Sequence, residues 1–275
     1  MFAIVLELLI VSLGAGFAGA IFGIGGGVLL VPALTLLLRI PMRAAIGVSL
    51  TAVVATSAGA SAAFVRDGWT NLKVAMALEV ATVSGALLGA ELAGRISTRW
   101  LEGLFASAMM VSAFEMRRRH KHHELVRESD RLAERLRMGG CYPGPDGPVT
   151  YGVRRVPLGA ALMAVAGVAS GMLGIGAGVL KVTAMDSAMR LPFKVSSATS
   201  NFMIGVTAGA GALVYLARGN VPTTLAAPVA LGVAGGALAG SRVLVRVRVG
   251  ILRSAFTILL LFVAAEMGFR AVHGG

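Results

Sequence analysis

Lys181 lies well inside an apolar stretch of this 275-residue sequence, three residues after the segment GIGAG at 174–178. A cation placed there faces an anion, a carboxylate or a water-filled cavity, because an unpaired charge in an apolar medium is costly. Asp186, five residues on, is the nearest acidic side chain, although that spacing is poor helical geometry for a pair. A second cluster, GIGGG at 23–27, stands in the first half of the chain. Gly23, Gly25, Gly26 and Gly27, with Gly174, Gly176 and Gly178, let the backbone break and turn. An apolar run follows each cluster, so its first N–H groups and positive dipole end would face the turn, an arrangement suited to an anion. Close helix packing is the other use of such glycines, and the recurrence of the cluster in both halves favours the binding reading over it.

Polar side chains come next. After RIPMR (39–43) and RLPFK (190–194), Ser49, Thr51, Thr199, Ser200 and Asn201 fall near the start of the following apolar runs. There they can donate hydrogen bonds to an oxyanion or serve as small interhelical contacts. Glu79 is the carboxylate well inside an apolar block, which makes it the candidate for proton coupling. Glu91 can pair with Arg95 four residues on, and Glu115 and Glu266 sit near segment ends. GAGFAG at 14–19 matches a dinucleotide fingerprint, but no strand precedes it. GIGAGVLK lacks the Gly-Lys-Ser/Thr of a phosphate loop. His120, His122 and His123 have no cysteine or carboxylate at ligand spacing, so they read as a solvated charged face, with no metal or cofactor expected. No nucleophile and base are placed for catalysis, and an enzyme is not expected.

The elements that position these residues follow from composition. The chain is 56% hydrophobic and 14% charged, against about 25% charged in soluble domains, with mean hydropathy +0.82. It reads as a multi-pass membrane protein. The net charge of +12 does not indicate nucleic acid, since membrane-length apolar runs separate the basic residues. Thirty-seven glycines and no ten-residue alternation argue for helices over a β-barrel, and the single Cys141 excludes an internal disulfide. MFAIVLELLIVSLGAG lacks a basic start and reads as part of the fold.

Charges divide the chain into apolar blocks at about 2–38, 44–65, 74–94, 100–115, 156–189, 195–217, 221–241 and 249–269. A straight helix over 2–38 would be about 55 Å long, nearly twice a bilayer core of about 30 Å. The two long blocks must therefore break at their glycines, giving about 8 to 10 helical segments in an all-α polytopic fold. Residues 117–156 form a basic, soluble insert, helical in its first part with Leu125, Leu132 and Leu136 roughly on one face, and loop in its Pro- and Gly-rich second part.

A shift of 151 residues aligns 15–49 with 166–200 at 14 identities in 35 positions, too many for chance even in this composition. The first repeat is thus 1–116 and the second 157–275. Straight crossings would divide the Lys and Arg residues 14 to 10 between the two sides. A glycine-broken hairpin in each repeat inverts the halves and gives 18 to 6, with Arg190, Lys194, Arg242, Arg246, Arg248 and Arg253 joining the insert in the cytoplasm, which the positive-inside rule prefers. The second arm of the hairpin, about 28–38, is roughly 16 Å long, which places the glycine tip inside the membrane.

The segments GIGGGVLLVP with RIPMRAAIGVS, echoed by GIGAGVLKVT with RLPFKVSSATS, resemble the sulfite exporter TauE/SafE family of membrane transporters, over nearly all of both repeats. Two positions depart from the pattern: Thr183 stands where the first half has Pro32, and Lys181 where it has Leu30. The resemblance implies movement of sulfur-containing anions such as sulfite and sulfonates across the bacterial cytoplasmic membrane. The expected protein is a secondary transporter working by alternating access, driven by a proton or sodium gradient or by the substrate's own. Its partners are the small anion and the lipid bilayer. The competing expectation is a membrane-embedded regulatory or assembly protein acting through the basic cytoplasmic insert.

Overall fold

The computed structural model describes residues 2–22, 27–117, 128–144, 147–244 and 249–273. Gly23, Gly25, Gly26, His120, His122, His123, Leu125 and the side chains of Glu115, Arg242, Arg246, Arg248 and Arg253 lie outside the described residues.

The chain is a membrane-type helical assembly. Helix α1 (Phe2–Phe22) is followed by α2 (Gly27–Pro32), which runs into a single π-helical turn (Ala33–Leu37). Helices α3 (Met42–Arg66), α4 (Leu72–Arg95) and α5 (Thr98–Arg117) complete the first half. A short α6 (Arg131–Arg135) and a hairpin of β1 (Gly140–Gly144) and β2 (Gly147–Tyr151) form the middle. The second half comprises α7 (Val156–Leu173), α8 (Gly178–Thr183), a π-helical turn (Ala184–Ala188), α9 (Phe193–Ala217), α10 (Thr223–Leu244) and α11 (Val249–His273). Among the described residues, α4, α7 and α9 are long and apolar enough to cross a membrane.

The break expected in the second half occurs, and the one expected at 23–26 lies outside the described residues. In the second half α7 stops at Leu173 because Gly174 and Gly176 take φ of +71° and +67°, and Ala177 follows at +48°. Glycine reaches that left-handed region without a Cβ penalty, which is why the cluster can turn the chain between two helices. Element bounds in the two halves keep one offset, so that α2, its π turn and α3 begin at 27, 33 and 42, and α8, its π turn and α9 at 178, 184 and 193.

Packing crosses between the halves. Helix α1 lies along α10, α4 along α7, α5 along α11 and α3 along α9. The α4–α7 seam is stitched by glycines: a Cβ on Gly85 would meet the Ala164 carbonyl, and one on Gly171 the carbonyl of Ala86. The α1–α10 seam is built alike, with Gly16 against Val233 and Gly236 against Leu13. Such close approach is how helices associate where lipid removes the hydrophobic drive between them.

The middle segment differs from its sequence reading. Residues 140–144 and 147–151 pair as an antiparallel hairpin, Gly140 with Tyr151 and Gly144 with Gly147, where loop was expected. Pro143 faces Pro148 in it, and neither proline interrupts a third strand, because among the described residues the sheet has two strands. The described helix is five residues long and ends before Arg137 at φ +49°. Leu132 and Leu136 are 40% and 46% exposed. Ala133, Met138, Tyr151 and Val153 are the residues that bury, against Val74, Leu78, Met185 and Met189. Hydrogen bonds fix this docking: Asn71 Nδ2 donates to the Met138 carbonyl and to the Tyr151 hydroxyl, both at 2.8 Å, and Arg154 N donates to the Met189 carbonyl at 3.1 Å. Burial pushes the Tyr151 hydroxyl up to about 12.

Asp130 holds the segment's start. Its Oδ1 accepts from Ala133 N at 2.8 Å and its Oδ2 from Arg155 N at 2.7 Å. Those backbone donors, Ala133 first, hold its carboxyl below the ordinary value. The contribution is therefore present above the carboxyl's unfolded value and lost as pH falls through the lowered folded one. Asp130→Ala should remove a cap of about 1 kcal/mol and speed limited proteolysis within 131–155 at neutral pH. In the unsubstituted protein the same loosening should appear only in acid.

Candidate functional site

Lys181 projects from α8, and its side chain is fully buried. Its ammonium donates to Thr207 Oγ1 at 2.6 Å and to the Met203 carbonyl at 3.2 Å, both on α9. Thr207 Oγ1 also stands 2.6 Å from Glu79 Oε1 on α4 and 2.8 Å from the Met203 carbonyl. One hydroxyl carries one proton, so Thr207 accepts from lysine and donates to the carboxylate or to its own helix. Glu79 is 9% exposed, and its Oε2 has no hydrogen-bond partner. Two residues assigned separate roles from sequence thus form one cluster, joined through a threonine the sequence reading passed over. The carboxylate joined to Lys181 through Thr207 is Glu79, 102 residues away, while the sequence neighbour Asp186 is buried in the π turn.

Thr207 carried one readable signal. Thr199, Met203, Thr207 and Gly211, each four residues apart, run along a buried face of α9, so a threonine there must find polar company.

Gly27, at the start of α2, and Gly174, in the glycine turn of the second half, meet at Ser49. A Cβ on Gly27 would lie 2.8 Å from the Gly174 carbonyl and 3.2 Å from Ser49 Oγ. Ser49 Oγ donates to the Gly174 carbonyl at 2.8 Å, with the Gly27 carbonyl at 3.4 Å, and Ser200 Oγ donates to the Gly178 carbonyl at 3.3 Å. Tyr215 OH donates to the Gly171 carbonyl at 3.1 Å. A helix broken in an apolar medium leaves the carbonyls of its last turn without partners, and Tyr215 and Ser49 supply them at Gly171 and Gly174 where α7 ends.

A family model for sulfite exporter TauE/SafE proteins matches residues 8–267. The chain belongs to this family. It is 24% identical over 221 residues to "Probable membrane transporter protein YunE" of Bacillus subtilis (strain 168), covering 78% of this chain and 79% of that one. It is 28% identical over 239 residues to "Probable membrane transporter protein YdhB" of the same organism, covering 87% and 88%. A "Probable membrane transporter protein" of Xylella fastidiosa (strain Temecula1 / ATCC 700964) is 40% identical over 87 residues, about a third of each chain. No solved structure matches.

In this TauE/SafE chain the remaining expected site residues are committed elsewhere. Thr51 Oγ1 donates to the Val48 carbonyl at 2.7 Å, on its own helix. Thr199 Oγ1 accepts from Asn71 N at 3.0 Å, beside the docked hairpin. Asn201 Nδ2 donates to the Ser197 carbonyl at 3.1 Å, and its own carbonyl accepts from Ser57 Oγ. Gly176 packs on Ile204. A cavity of about 680 Å³ opens elsewhere, between α1, the α2 arm and α11. It is lined by apolar residues such as Ile10, Pro32 and Phe262, with Glu266 and Arg270 as its charged members, and no residue of the Glu79–Thr207–Lys181 cluster reaches it.

Proposed function

We propose that the chain is a secondary transporter that carries a small sulfur-containing anion, of the sulfite or organosulfonate class, across the bacterial cytoplasmic membrane. Two inverted repeats would rock against each other to alternate access. The substrate would bind where the two glycine turns approach, with Lys181 as its charged contact. Membership of a transporter family supports the general reading. The observation that carries the site is a fully buried ammonium next to a broken helix, held by α8 and α9 and reached by a carboxylate from α4 of the other half. Substrate sites at the interface between repeats, beside interrupted helices, are the pattern for such carriers.

Exchange of labelled sulfite and of labelled methanesulfonate across proteoliposomes tests the function. The reconstituted chain should give saturable exchange of at least one of them, and Lys181→Ala should reduce it at least about tenfold, the loss of one charge-assisted contact. Absence of exchange for both anions would overturn the substrate class, and undiminished affinity in the variant would remove Lys181 from the site.

A further inference from the structure

We propose that Glu79 and the transported anion compete for the single ammonium of Lys181, so that each anion bound requires one proton taken up by Glu79. This inference rests on the transporter reading above.

The two halves make the case by their difference. At the offset of 151 residues, Leu30 stands where the second half has Lys181, Ala230 where the first has Glu79, and Thr56 where the second has Thr207. Leu30 is fully buried, and Thr56 donates within its own helix, to the Ala52 and Val53 carbonyls. The same packing position is therefore filled without charge in one half. Both charges occur together in the other, although they arise from different halves of the chain. Packing does not require them, and neither would be stable there alone.

The geometry leaves the pair exchangeable. Thr207 stands between the ammonium and Glu79 Oε1, and Glu79 Oε2 is buried without a partner. A proton arriving from solution forms an O–H bond at Oε2 and breaks no other bond in the protein. With Glu79 ionised, Lys181 is compensated and offers no net charge to a ligand. With Glu79 protonated, the ammonium needs an anion. Electroneutrality of the buried site thus permits carboxylate or anion, and excludes both and neither.

Other charged groups on the surrounding elements are engaged elsewhere. Helix α7 has no ionisable side chain. On α9, Lys194 Nζ lies over the Trp69 ring at 5.3 Å, Tyr215 donates to the Gly171 carbonyl, and Arg218 at its end pairs with Glu91. On α3, Arg43 donates to the Ile96 carbonyl and Arg66 pairs with Asp67. Tyr151 of the hairpin is bonded to Asn71, and Asp186 is buried in the π turn beyond Lys181.

The test uses the full chain in proteoliposomes with sulfite and methanesulfonate as probes, measuring exchange at equal pH and uptake driven by a pH difference alone. Unsubstituted protein should do both, and its apparent anion affinity should rise about tenfold for each pH unit lowered while Glu79 is ionised, the slope of one proton per anion. Glu79→Gln should keep exchange, lose pH-driven accumulation and show a flat affinity. The double variant Glu79→Ala with Lys181→Leu, which carries the residues of the repeat-related positions Ala230 and Leu30, should fold yet neither exchange nor accumulate. Accumulation by Glu79→Gln, exchange by the double variant, or normal exchange without pH drive in the unsubstituted chain would each overturn the coupling. If Glu79→Gln does not fold, the double variant and the pH slope decide. Absence of exchange of either probe by the unsubstituted chain would instead overturn the substrate class of the transporter reading.

Discussion

Glu79→Ala alone should destabilise the protein by about 3–5 kcal/mol, because it strands the Lys181 ammonium in the interior with a hydroxyl and a carbonyl as its neighbours. Adding Lys181→Leu to the same chain should recover most of that loss. The leucine side chain is apolar, and Leu30 already occupies the matching place in the first half with no exposure. Thermal unfolding of the two single variants and the double variant in detergent gives the coupling between the sites directly. Additive losses, with the double variant the least stable, would show that Thr207 does not join the two charges energetically. The comparison is informative because Thr207 on α9 bonds both groups, so the cycle reads the coupling between them.

Gly85→Ala and Gly171→Ala should each cost about 1–3 kcal/mol, the usual penalty for forcing extra atoms into a closed interface. In both cases the added methyl meets main chain, the carbonyls of Ala164 and Ala86, and main chain yields only if α4 and α7 move apart. Separation would also disturb Glu79, which α4 carries, so pH-driven accumulation should fall with stability. Gly14→Ala is the control: a Cβ there has no atom within 4 Å, and its thermal unfolding should match the unsubstituted protein. Equal behaviour of Gly14→Ala and Gly85→Ala would mean that the α4–α7 seam is looser than it is described here.

Sequence reasoning reached the breaks in the long apolar blocks because a helix of that length cannot fit a bilayer, and only the glycines allow a turn. Gly174 and Gly176 occupy the left-handed region that this reading requires. It reached Lys181 and Glu79 for a similar reason, since a charge in an apolar run demands an explanation. Their pairing was hidden because tertiary packing across the halves, and not local spacing, brings α4 to α9, and a local search could offer only Asp186. The hydroxyls were half legible. Ser49 lies beside Gly174 of the opposite half and Ser200 beside Gly178 of its own, and both protons go to backbone carbonyls. Counting the carbonyls that the end of α7 leaves unpaired would have assigned Ser49 before any ligand was considered. The hairpin at 140–151 was missed because Pro and Gly were read as loop, although Pro-Asp-Gly at 145–147 is a turn signal between strands.

The crosswise packing of the helices also bears on how the chain is made. Helix α1 finds its long partner in α10, about two hundred residues later, and α4 finds its own in α7 only after the middle segment has been synthesised. During synthesis the glycine faces of α1 and α4 therefore wait in the membrane without their counterparts. The seams between the halves therefore complete in turn, that of α4 with α7 and that of α1 only with α10.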